Sequence, residues 1–107
     1  MLVEYVRDDQ GNKVGTVVVD IYNDVLKMGW SMCSPKDKFN KDMGKKVAYG
    51  RLLKYSLLTP DYGIDPHEYR RFPTRMMPQL FNVVHSLYGR ARTYYKQLNL
   101  PFRDFAF

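Results

Sequence analysis

Val14 to Tyr22 contains the run Val17-Val18-Val19, three β-branched residues that are apolar on both faces of an extended chain. A segment with no face to turn to water belongs inside a sheet, so it is the expected central strand. Leu2 to Arg7 alternates ahead of it, with Val3, Tyr5 and Arg7 on one face and Leu2, Glu4 and Val6 on the other. Asp8 to Lys13 between them is turn chemistry, in which Gly11 and Asn12 accept positive φ. Asn23-Asp24 is the next turn, and Val25 to Cys33 is the third strand. These segments predict a three-stranded antiparallel meander.

The pattern changes from strand to helix between Gly29 and Arg51, a stretch that holds the one Trp and the one Cys of the chain. Ser34-Pro35 reads as N-cap and first helical residue, with Asp37 three positions on as a capping-box carboxylate. Asn40 offers a second cap, in which case Pro35 to Phe39 is a single turn. From Lys36 to Leu58 two apolar rows occur, Phe39-Met43-Val47 and Gly44-Ala48-Leu52-Tyr55, which describe a helix covered on more than one side. Gly44 and Ala48 are small and four apart, so a neighbour can approach that row closely. Each helical Gly costs about 1 kcal/mol relative to Ala, so Gly44 and Gly50 require a packing reason or mark ends.

Thr59 to Thr74 is irregular, with Pro60, Gly63, Pro66 and Pro73, and Asp65-Pro66 can open a short helix through Tyr69. Pro78 suits the first turn of a last helix whose stripe is Leu80, Val84, Leu87, Ala91, Tyr94 and Leu98, widened by Phe81, Tyr88 and Tyr95. Pro101 ends it, and the Phe-rich tail Phe102 to Phe107 is expected to dock on the core or on a partner. The expectation is an α+β fold: a three-stranded antiparallel meander packed against two principal helices on one face, with a long connecting loop. At 107 residues it makes one domain, 1–107. Trp30, Val17, Val19, Phe39, Val47, Leu52, Leu80, Val84 and Leu87 are the expected core, with Trp30 anchoring the sheet against the first helix.

Hydrophobic content of 45% is that of a folded globule, and the aromatic fraction of 15% includes nine Tyr, which suit either a small core or a binding surface. A single Cys excludes an internal disulfide, and with only His67 and His85 beside it a compact zinc site is not expected. There is no secretory pattern and no apolar run near the ~18 residues of a membrane span, so the chain is expected in the cytosol. P-loop, dinucleotide and zinc spacings do not occur, and no cofactor is implied. Cys33 beside Trp30 reads as a small hydrophobe rather than a nucleophile, and Asp8-Asp9 as turn residues rather than metal ligands. A Cys33 nucleophile would need His67 or His85 beside it, and His85 reads equally as a surface polar residue; Arg90, Arg92 and Lys96 fall largely on the solvent side of the last helix.

The net charge is +6 and unevenly spread. Residues 1–34 carry three basic and five acidic groups, residues 35–59 seven and two, and residues 60–107 seven and four. Lys36, Lys38, Lys41, Lys45 and Lys46 therefore form a basic helix start, where lysines either bind phosphates or simply face solvent. Arg51 lies among Val47, Ala48 and Tyr55 and either joins that surface or pairs with Asp37 or Asp42 inside the fold. Arg70, Arg71 and Arg75, beside Tyr69 and Phe72, form a second patch that can grip a nucleic-acid strand by stacking and phosphate contact.

The segment Gly29-Trp30-Ser31, Pro35-Lys36-Asp37, Phe39, Lys41, Gly44, Ala48 and Gly50-Arg51 resembles a group of small tailed-bacteriophage proteins with no assigned activity. That group places a GWSxCxPxDxFxK segment before an IAxGR segment, and Val47 stands where it has Ile. The likeness covers about a quarter of the chain and the strand Gly15 to Val19 before it. It implies a phage-encoded accessory or host-interaction protein working in the host cytosol.

Two functions follow. The leading expectation is a non-enzymatic protein that binds nucleic acid through the basic helix and the Arg/Tyr loop. The alternative is an inhibitor or modulator of a host protein with an acidic surface, contacting it through Tyr62, Tyr69, Phe72, Phe105 and Phe107.

Overall fold

The computed structural model of the chain describes residues 1–33, 38–54 and 77–103. Within them lie β1 (Leu2–Arg7), β2 (Lys13–Tyr22), β3 (Val25–Met32), α1 (Lys41–Lys54) and α2 (Met77–Gln97). The sheet is antiparallel in the order β1-β2-β3, with β2 central as its double-sided valine run requires. The expected long loop, the Ser34-Pro35 cap and the short helix at Asp65-Pro66 lie outside the described residues.

Local chemistry sets the two hairpins. Asn23 and Asp24 take φ of 53° and 61°, the left-handed pair of a two-residue turn whose twist matches its strands. Asp8 organises the longer connection. Its Oδ1 accepts the N–H groups of Gln10 and Asn12, both at 2.9 Å. Gly11 crosses the same loop at φ 82°. The β1–β2 register then shifts between Val6 and Arg7, whose partners are Gly15 and Lys13. Val14 is the extra residue of a β-bulge. Lys13, expected in the turn, is the first residue of β2.

The two helices cover opposite faces of the sheet, which corrects the expectation of one helical face. Val17, Val19, Leu26, Met28 and Trp30 join Leu80, Val84, Leu87, Tyr88, Ala91 and Tyr95 of α2 in one core. Val18 points the other way and packs with Ala48 and Leu52 of α1. Strand alternation accounts for both, because Val18 pairs with Gly29 while Val17 pairs with Trp30. Trp30, 1% exposed, therefore packs on the α2 side and not against the first helix. The α1 side meets Gly29, where an added Cβ would strike the Ala48 carbonyl oxygen and stand 2.7 Å from the Leu52 nitrogen. Gly44 is equally close to the sheet, its virtual Cβ 2.5 Å from Thr16 Oγ1. The small row of α1 thus has its close neighbour, and that neighbour is β2 and β3. Phe39 and Val47 are half-buried rather than core.

Asn40 supplies the N-cap, its Oδ1 accepting the Met43 N–H at 3.0 Å. α2 ends in a Schellman arrangement. Asn99 at φ 56° donates to Lys96 O at 3.0 Å, and Leu100 N–H reaches Tyr95 O at 3.3 Å. Tyr94 and Leu98 of the expected stripe are 44% and 51% exposed, while Tyr95 is 4% exposed. Positions seven apart lag a straight helix by about 20° per heptad, so Tyr95 replaces Tyr94 on the core face. Phe102 then returns to pack on Tyr95, with ring centroids 6.4 Å apart. Arg103 bridges Val25 in parallel, accepting the Leu26 N–H at 2.9 Å. The first Phe of the tail therefore docks on its own chain.

Candidate nucleic-acid interface

The described cations of the basic segment do not share one stripe. Lys38, Lys41 and Lys46 are exposed, and Lys45 is half-buried. At 100° per residue Lys46 lies roughly opposite Ala48 and faces solvent, whereas Lys41 lies near the Ala48 meridian at the start of the helix. Past the edge of the packed face, Lys41 reaches the sheet: its Nζ stands 5.7 Å from the Tyr5 ring centroid.

Lys13 comes to the same ring from β2, with Nζ 4.5 Å from the centroid. Phe39, one residue before the Asn40 cap, meets Tyr5 edge to face at 6.0 Å. Two ammonium groups from separate elements thus converge on one aromatic side chain. The Lys41 ammonium beside it holds the Lys13 amine below the usual lysine range, with desolvation and Arg7 acting in the same direction. Arg7 is itself steered by a bond from Nη1 to Gly11 O at 2.9 Å. Each cation–π contact favours one ammonium, and a negative group placed between the two would relieve their mutual repulsion.

Arg51 belongs to the fold. It is half-buried and donates from Nη1 to the Trp30 carbonyl at 2.9 Å. Cys33 N–H donates to Val14 O at 2.7 Å, which directs odd-numbered β3 backbone groups toward β2 and the Trp30 carbonyl outward. Arg51 therefore ties α1 to the outer edge of β3. His85 is exposed, and Cys33 is half-buried rather than fully enclosed.

Of the residues expected to bind, Lys38, Lys41, Lys45 and Lys46 are placed, while Lys36, Arg70, Arg71 and Arg75 lie outside the described residues. So do the alternative partner contacts Tyr62, Tyr69, Phe72, Phe105 and Phe107. Lys13 and Arg7 were not expected. The alternation that puts Tyr5 and Arg7 on one face was legible, but the bulge that turns Lys13 onto that face has only Gly15 as a local sign. Among the described residues no group of His, Cys, Asp and Glu is arranged to hold a metal ion, and no helix is long and apolar enough to cross a membrane. Comparison with protein-family models, with curated proteins and with solved structures gives no match.

Proposed function

We propose that this chain is a non-enzymatic accessory protein of phage type that binds nucleic acid in the host cytosol. The observation that carries the reading is the convergence of Lys13 and Lys41 on Tyr5. Phosphate, the repeating anion of a nucleic-acid backbone, suits such a pair, and the exposed Lys38 and Lys46 and the half-buried Lys45 are further cations of the same segment on other meridians. The phage origin rests on the resemblance of the Gly29 to Arg51 segment.

The test is a salt series. Each phosphate contact contributes about 0.9 to the slope of log affinity against log salt on duplex DNA and about 0.7 on a single strand. Changing Lys38, Lys41, Lys45 and Lys46 to Gln is expected to flatten the slope by up to about 3.6 or 2.8 respectively, with the fold intact. Absence of binding to any DNA or RNA at low salt rejects the reading. The alternative, an acidic host protein, is supported by the same positive charge and by the resemblance. Partners recovered from host lysate after nuclease treatment would favour it.

A further inference from the structure

Lys13 opens β2 directly opposite Arg7 of β1, so two like charges face each other across neighbouring strands, an arrangement that costs stability. Lys41 adds a third cation from α1. The Nζ atoms of Lys13 and Lys41 stand 4.5 and 5.7 Å from the centroid of the one Tyr5 ring, and the two amines share a side-chain hydrogen bond. An ammonium has three donors and no acceptor. A hydrogen bond between two lysines therefore requires one of them as the free amine, with its lone pair available. Lys13 is that partner: Lys41, desolvation and Arg7 all disfavour its proton, and Glu4 acts against them. Lys27 provides the contrast. It too is half-buried over a tyrosine, 5.2 Å from the Tyr22 centroid, but among the described residues no second lysine stands over that ring.

We infer that Lys13 is a nucleophilic amine and a site of acyl transfer from acyl phosphates, whether or not the chain binds nucleic acid. The lone pair of Nζ attacks the carbonyl carbon of the donor. A C–N bond forms, the carbon–oxygen bond to the phosphate breaks, inorganic phosphate leaves and the amine releases a proton to solvent. Lys41 and Arg7 supply the cations that draw the phosphate end, so Lys13 is not needed as an ammonium. Both are exposed, which leaves the donor a path from solvent. An ordinary lysine, with a pKa of about 10.4, is a free amine in roughly one molecule in 2,500 at pH 7, and each unit by which neighbours lower that value raises the fraction about tenfold. The lower basicity returns only part of the gain, as it does for thiolates. The product is an uncharged amide, which ends the like-charge contact.

The experiment times lysine acetylation of the intact chain near neutral pH by peptide mass mapping. One arm uses acetyl phosphate, the other the uncharged N-hydroxysuccinimide ester of acetic acid. We expect Lys13 to react at least about threefold faster than Lys27 with the ester, and by a larger ratio with acetyl phosphate. The Lys13 rate should level off at a lower pH than the Lys27 rate. Lys41→Gln is expected to remove the preference and Lys41→Arg to keep it, with circular dichroism establishing that each variant is folded. In urea-denatured protein the two lysines should react alike. Equal rates at Lys13 and Lys27 in both arms, or a preference that survives Lys41→Gln or denaturation, overturns the inference. A preference with the ester that acetyl phosphate does not exceed overturns the acyl phosphate as donor.

Discussion

Single glycines decide how closely α1 approaches the sheet. At Gly29 a methyl group would meet helix backbone, which has no rotamer to yield. Gly29→Ala is expected to destabilise the protein by about 1–3 kcal/mol, or more if α1 has to lift away. Gly50 lies in the same helix with nothing within 4 Å of its virtual Cβ. Gly50→Ala should therefore stabilise by up to about 1 kcal/mol through helix propensity alone. Urea denaturation of both variants checks the contrast, and similar midpoints for the two would show that α1 does not sit on Gly29. The spacing of Gly44 and Ala48 announced a close approach but not its target. The Cβ-free position on the sheet, Gly29, had no visible partner until strand register set it opposite Val18.

At the level of elements, the strands and turns were legible because their signals are local. A β-branched run, an Asn-Asp pair able to take positive φ and a Gly in a polar loop act within a few residues. The last helix was legible from its stripe, except where helical drift moved the core face from Tyr94 to Tyr95. The side on which each helix packs depends on long-range pairing. The double-sided Val17-Val18-Val19 run already contained that information, since two apolar faces need two covers. Basic positions on α1 were visible one by one, whereas the Lys13–Lys41 approach exists only across elements. Arg51 shows the same limit, its role depending on the outward-facing Trp30 carbonyl. Arg51→Gln is expected to lower stability by about 1.5–3 kcal/mol, the range of a hydrogen bond to a charged group. The salt slope of the folded protein should stay unchanged, and a flattened slope would assign Arg51 to the binding surface instead.

Across the described molecule, the two faces of the sheet are unequally supported. The α2 side has twelve buried core residues, including Trp30, Leu80 and Leu87, whereas the α1 side has three, Val18, Ala48 and Leu52. Positive charge is concentrated on the lightly buried side, at the start of α1. Apolar burial is the main source of local stability, at about 25 cal/mol per Å². From the described residues alone, α1 is expected to open at lower free energy than the sheet and α2. Native-state hydrogen exchange should show α1 amides escaping through a sub-global opening, with those of β2 and α2 exchanging only on global unfolding. Identical protection in α1 and α2 would mean a single cooperative unit. An anion bridging Lys13 and Lys41 would clamp the loose layer onto the rigid one. Occupancy should then slow exchange along the whole of α1, far beyond the residues that touch the ligand.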